Sequence, residues 1–93
     1  MHDKITTEKL AKYFKVTETA LDEVKKNIIT GKDAEAKEII DMAANYVSDA
    51  RHFESKNDYV NAFAALNYAH GWIDSGVRLR IFDVKDNKLF TIC

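Results

Sequence analysis

An all-α fold, an up, down, up antiparallel three-helix bundle with a short extended C-terminal tail or hairpin, is predicted by three observations. The 93 residues contain no proline and only three glycines, so little in the chain breaks a helix. Apolar residues recur at alternating spacings of three and four through three successive stretches. Two short polar breaks separate those stretches, and short links between long amphipathic helices make sequential neighbours antiparallel. With 46% hydrophobic residues the chain suits a single domain across 1–93, although a chain this short buries only part of its unfolded surface.

The first helix is expected over residues 7–29, where Leu10, Phe14, Leu21, Val24 and Ile28 mark one face and Thr17 fills the gap. Gly31 is the expected left-handed stop, and Asp33 the expected cap of a second helix over 33–56, with Glu35 in its first turn. That helix turns Ala36, Ile39, Ile40, Ala43, Val47, Ala50 and Phe53 inward, and Asp41, Asn45, Ser48, Asp49 and His52 outward. Alanine at 36, 43 and 50 repeats every seven residues, which admits a neighbouring backbone closely. Asn57 and Asp58 break the chain before a third helix over 58–82. Its broad apolar face carries Tyr59, Ala62, Phe63, Leu66, Ala69, His70, Ile73 and Val77. Past Phe82 the period changes, and residues 83–93 offer two short apolar runs around Asp86 and Asn87, a hairpin signal that must lean on the bundle. The Ala, Tyr and Ala spacing of 43–69 is similar to one tetratricopeptide unit, but a solenoid needs about three repeats or more.

The stretch YVSDARHFESKNDYVNAFAALNYAHGWIDSGVRL, followed by FDV and LFTI, resembles the archaeal domain of unknown function family 357. The resemblance rests on Tyr, Asp-Ala, Asp-Tyr, Ala, Leu, Tyr-Ala-His-Gly-Trp, Asp and Gly-Val-Arg in order. It covers roughly the last half of the chain, and the first helix matches only in amphipathic character and position. What the resemblance implies is a left-handed three-helix bundle from archaea with no assigned activity, sometimes joined to nucleotidyltransferase-like domains, and hence an accessory module.

Composition narrows the function classes. Fourteen basic and 15 acidic residues are interspersed and nearly cancel, so no basic stripe marks a nucleic-acid partner. The single cysteine, Cys93, excludes an internal disulfide and a cysteine zinc site, which fits a reducing cytoplasm. No apolar run approaches the roughly 20 residues that span a bilayer, and the polar start MHDKITTEK is not a signal peptide. The expectation is a cytoplasmic protein with no membrane partner. The glycines stand alone, with no Gly-Lys-Ser or Gly-Lys-Thr to cradle a phosphate. Cys93 sits at the end of the tail, a poor place to fix a nucleophile beside a base. The fold and the Asp-Tyr helix pair invite comparison with the small helical nucleases called HEPN, in which an arginine precedes a histidine by several residues. Here His52 follows Arg51 at once and no histidine follows Arg78 or Arg80, so that signature is absent. No catalytic residue and no cofactor are assigned.

Two surfaces of the third helix stand out. Asn67, His70, Asp74 and Arg78 form a polar seam at three and four spacing. It reads either as a binding site, with a histidine oriented by a carboxylate, or as a core histidine satisfied by polar neighbours, kept neutral by burial unless Asp74 reverses that preference. His52 with Asp49 forms a second pair, exposed on the second helix. In an antiparallel hairpin the two imidazoles lie more than about 10 Å apart along the axis, too far to share an ion, so no metal site is expected. Opposite the core face, Tyr68, Trp72 and Leu79, with Ala65 beside them, form a second apolar stripe that needs a cover. The candidates are the tail, through Val84, Leu89, Phe90 and Ile92, a second copy in a homodimer, or another protein. The charged residues Lys9, Lys12, Glu23 and Lys26 of the first helix read as a solvated face. The function expected is that of a non-enzymatic interaction or accessory module using the third helix and the tail. The alternative is a small-ligand, nucleotide-handling or nuclease-like helical protein centred on the seam, which convergent polar groups in a concave pocket would favour and a filled, dry seam would remove.

Overall fold

The computed structural model describes residues 5–85, which form α1 (Thr7–Lys25), α2 (Asp33–Ser55) and α3 (Tyr59–Arg78), with no strand longer than a single bridge among them. The hairpin expected around Asp86 and Asn87, with Leu89, Phe90, Ile92 and Cys93, lies outside the described residues. Ring contacts fix the sense of the helices. Tyr46 of α2 stacks on Tyr68 of α3, centroids 5.4 Å apart, on either side of their short link, so α2 and α3 are antiparallel. Tyr13 stacks on Phe63 at 4.3 Å, and further along both chains Ile28 pairs with Phe82, so α1 runs parallel to α3. The up, down, up arrangement follows.

Thr6 opens α1 by accepting the Lys9 amide at 3.1 Å. The helix ends at Lys25, four residues earlier than its apolar period suggests. Asn27 donates its side-chain amide to the Glu23 carbonyl at 2.8 Å, and Ile28 leaves the helix to bridge Phe82. Ile29 N–H then donates to Ile81 O at 3.0 Å and Asp83 N–H to Asn27 O at 2.8 Å. Gly31 does take a left-handed φ of 89°, but in the turn before α2 rather than directly after α1. Lys32, not Asp33, is the first capping residue of α2, and it gives no side-chain cap. Asp33 and Glu35 instead occupy the first turn, where negative charge complements the helix dipole.

Both remaining helix ends close in the same way. Asn57 (φ 59°) and Arg80 (φ 60°) are left-handed. The following amides, of Asp58 and Ile81, reach back to Phe53 O at 2.9 Å and Gly76 O at 2.8 Å, the paired-bond stop that usually employs glycine. Asp58 then accepts the Asn61 amide at 3.3 Å and its side chain at 2.7 Å to start α3. Because of the second stop, α3 ends at Arg78, and Ile81 and Phe82 fold onto the bundle, 7% and 2% exposed.

The expected core is the observed one in outline. Leu10, Phe14, Thr17, Val24, Leu66 and Ile73 are fully buried, and so are Ala36, Ala43 and Ala50 of α2 and Ala62 and Ala69 of α3. These small residues let α2 and α3 approach closely, and that pair shares the largest interface. Ala65 is a correction: it is buried in the core, not part of the outer stripe. Ile40, Phe53, Tyr59 and Phe63 pack at the rim of the core. Arg51 joins α2 to α1, its guanidinium 3.7 Å from the Phe14 ring centroid and ion-paired to Glu18 at 3.0 Å and Glu54 at 3.1 Å. No described helix is long and apolar enough to cross a membrane.

Candidate functional site

The parallel course of α1 and α3 leaves a cleft between them of about 460 Å³, lined by Tyr13, Val16 and Thr17 from α1 and by Asn67, His70, Gly71 and Asp74 from α3. Three of the four seam residues are therefore brought together in one concavity. His70 and Asp74 lie one helical turn apart, Nε2 to Oδ1 3.7 Å, each side chain 22% exposed. That is too long for a direct hydrogen bond, so the two present neighbouring polar edges. Asn67 is exposed at the rim. Arg78 stands one turn beyond Asp74, exposed and outside the described lining.

The α1 wall was not legible from the third helix alone. Thr17 is fully buried, and its hydroxyl has no hydrogen-bond partner. An unsatisfied buried hydroxyl costs about 1 to 3 kcal/mol. It is covered by its neighbours, so a ligand group reaches it only when a lining side chain turns aside. The signal that points to this wall is the pair Tyr13 and Thr17, two polar-tipped residues one turn apart on the apolar face of α1.

Gly71 lines the cleft as an exposed stretch of bare backbone. An added Cβ there would meet nothing within 4 Å, whereas at Gly76 it would come within 2.8 Å of Phe82 Cδ2 and 3.1 Å of Ile39 Cδ1. Packing thus explains the second glycine and not the first, although both weaken a helix by about 1 kcal/mol relative to alanine. Gly71 and Asn67 also border a shallower groove of about 370 Å³ with Tyr68, Trp72 and Ser75. The bare backbone at Gly71 is a saddle between the polar cleft and the outer stripe.

On that stripe Tyr68 and Leu79 are 62% and 68% exposed. Trp72 is only partly exposed and packs against the core. The surface is therefore less continuous than three outward residues imply. His52 and Asp49 are exposed on α2, away from the cleft, with the His52 ring edge-on to Phe53. No group of three His, Cys, Asp or Glu side chains among the described residues has the geometry to hold a metal ion.

Among protein families, the one described as Protein of unknown function (DUF357) matches residues 12–82, a span that reaches into α1 beyond the stretch carrying the resemblance. Comparison with curated proteins and with solved structures finds no match.

Proposed function

We infer that this chain, which belongs to the DUF357 family, is a non-enzymatic helical module that holds a small polar ligand in the cleft between α1 and α3. One observation carries the reading: polar side chains from two helices, Tyr13 of α1 and Asn67, His70 and Asp74 of α3, line a single concavity of ligand size. Thr17 adds weight, because a fully buried hydroxyl with no partner is rare in a seam that serves packing alone. The resemblance to an archaeal family and the lone cysteine support reading such a module as a cytoplasmic archaeal protein, accessory to other activities. The test is an amide NMR screen of a mixed fragment library against labelled protein. Binders should shift amides of the α1 and α3 cleft residues, and Thr17→Val should weaken them while leaving the fold intact. Fragments that map only elsewhere, or none that bind, would remove the proposal.

The outer face of α3 supports a second reading, docking of a second copy. Tyr68 and Leu79 are exposed, and Tyr68 and Gly71 line one shallow groove. An exposed aromatic and a shallow groove on one surface can pair with their own copies across a two-fold axis, as a homodimer requires. Sedimentation velocity should show a concentration-dependent dimer that Tyr68→Glu abolishes. A chain that stays monomeric at high concentration rejects this arrangement.

A further inference from the structure

We propose that the solvent face of α3 packs against α3 of a second copy, antiparallel, with the two-fold axis crossing between Ala69 and His70. This rests on the second-copy reading above, and it adds the extent of the interface, its register and the residues that meet.

The charge pattern argues first. Every exposed residue of α3 from Val60 to Ser75 is uncharged, and Asp74, the one charged residue of that stretch, lines the α1 cleft with its side chain 22% exposed. The exposed positions of the other helices are mostly charged, with Glu8, Lys9, Lys12 and Lys15 on α1 and Lys37, Glu38, Asp41 and Asp49 on α2. In a chain with 31% charged residues, about four turns of neutral helix surface stand apart. Loss of charge marks the centre of an interface. It also selects the partner, because close to a two-fold axis each charge meets its own like. A face that binds its own copy must be neutral there, and among the described helices only α3 has such a face.

Apolar exposure argues second. Val60, Tyr68 and Leu79 are the large hydrophobic side chains left exposed among the described residues, at 59%, 62% and 68%, and all three belong to α3 or its C-terminal cap. Their spacing is self-complementary. Antiparallel pairing about the point between Ala69 and His70 brings Val60 level with Leu79 of the partner subunit, Ala64 with Ser75 of the partner subunit, and Tyr68 with Gly71 of the partner subunit. Apolar ends then meet apolar ends, and the small residues Ala64, Gly71 and Ser75 let the two backbones approach. The Tyr68 ring gains a place on the partner at the position where an added Cβ would meet nothing within 4 Å. A parallel pair would instead set ring against ring and leave the two bare glycines facing each other.

The experiment follows the full chain by sedimentation velocity up to millimolar concentration, because one helix face about 28 Å long is small beside the roughly 800 Å² per partner of a standard interface. The parent should dimerise. Leu79→Lys places a cation at an exposed helix C-terminus, where it suits folding, so the melting temperature should hold while the dimer dissociation constant rises about tenfold or more. For the register, Val60→Cys and Leu79→Cys are each made in a Cys93→Ser background, mixed, and treated with a short bismaleimide. The two variants should link to each other and neither to itself, since like positions lie about 28 Å apart across this axis. Either variant linking to itself in preference, or a dimer that Leu79→Lys leaves intact and the mixed pair does not link, would overturn the register while sparing the second-copy reading. A parent that stays monomeric at millimolar concentration removes both.

Discussion

Replacing Gly71 and, separately, Gly76 with alanine makes one chemical change at two points of one helix, and stability should move in opposite directions. Each change gains about 0.8 to 1.0 kcal/mol of helix propensity, since glycine surrenders the most backbone freedom on folding. At Gly71 an added Cβ meets nothing within 4 Å, so the gain stands alone. At Gly76 it would lie 2.8 Å from Phe82 Cδ2 and 3.1 Å from Ile39 Cδ1, and those side chains are only 2% and 6% exposed, with little space to move into. Overpacking of that kind costs about 1 to 3 kcal/mol, and expelling the Phe82 ring would forfeit up to about 3 kcal/mol of burial. Gly76→Ala should therefore lose up to about 2 kcal/mol net while Gly71→Ala gains nearly 1, a split of about 1 to 3 kcal/mol. For a domain of this size each kcal/mol moves Tm by about 4 to 8 °C, so far-UV circular dichroism melts resolve the pair. A double-mutant cycle isolates the cause. With Phe82→Ala in place the clash is gone, and adding Gly76→Ala should then stabilise. Gly76→Ala as stable as Gly71→Ala, or a penalty that persists without the Phe82 ring, would refute the packing argument.

Leu21, Ile39 and Leu66 are nearly or fully buried, so each alanine substitution should cost about 2 to 5 kcal/mol in urea melts, against about 0.5 or less for exposed Lys12→Ala. Arg80 holds a φ of 60°, and glycine there should raise stability by about 0.5 to 1 kcal/mol; a lowered Tm would mean the arginine side chain anchors more than the backbone strain costs. Asp58→Ala removes the cap on Asn61 and should cost about 1 kcal/mol, with faster amide exchange confined to the first turn of α3.

The three helices were legible because their apolar residues repeat over many turns, and the alanines at 36, 43 and 50, all fully buried, announced the close approach of a neighbouring backbone. Element ends were harder to read. Ile28 falls on the helical period of α1, yet a backbone bridge to Phe82 wins over that local preference, and only residues more than fifty positions away decide it. The end of α3 depends on Arg80 adopting a left-handed conformation that its residue type does not advertise. For the site, a wheel of α3 puts Asn67, His70 and Asp74 along one edge, and all three line one cleft, but that lining belongs to two helices. Tyr13 and Thr17 enter through the register of α1 on α3, which no single-helix period contains. Gly71 became informative only by contrast with Gly76, since sequence alone does not distinguish a glycine that packs from one that does not.

The pairing of residues 27–29 with 81–83 has a dynamic consequence. α2 and α3 hold each other through the broad alanine contact, whereas α1 rests on them through smaller surfaces. Its C-terminal end is tied to the exit of α3 by the amides of Ile29 and Asp83. The bundle should therefore open as two units, with α1 peeling from a surviving α2–α3 hairpin at a lower free energy than global unfolding. The Ile29 and Asp83 amides form the latch of that opening, and its release removes one wall of the cleft. Any molecule gripped by both α1 and α3 must slow this release by mass action. Hydrogen exchange at those two amides, which do not line the cleft, thus becomes a remote gauge of whether the cleft is filled.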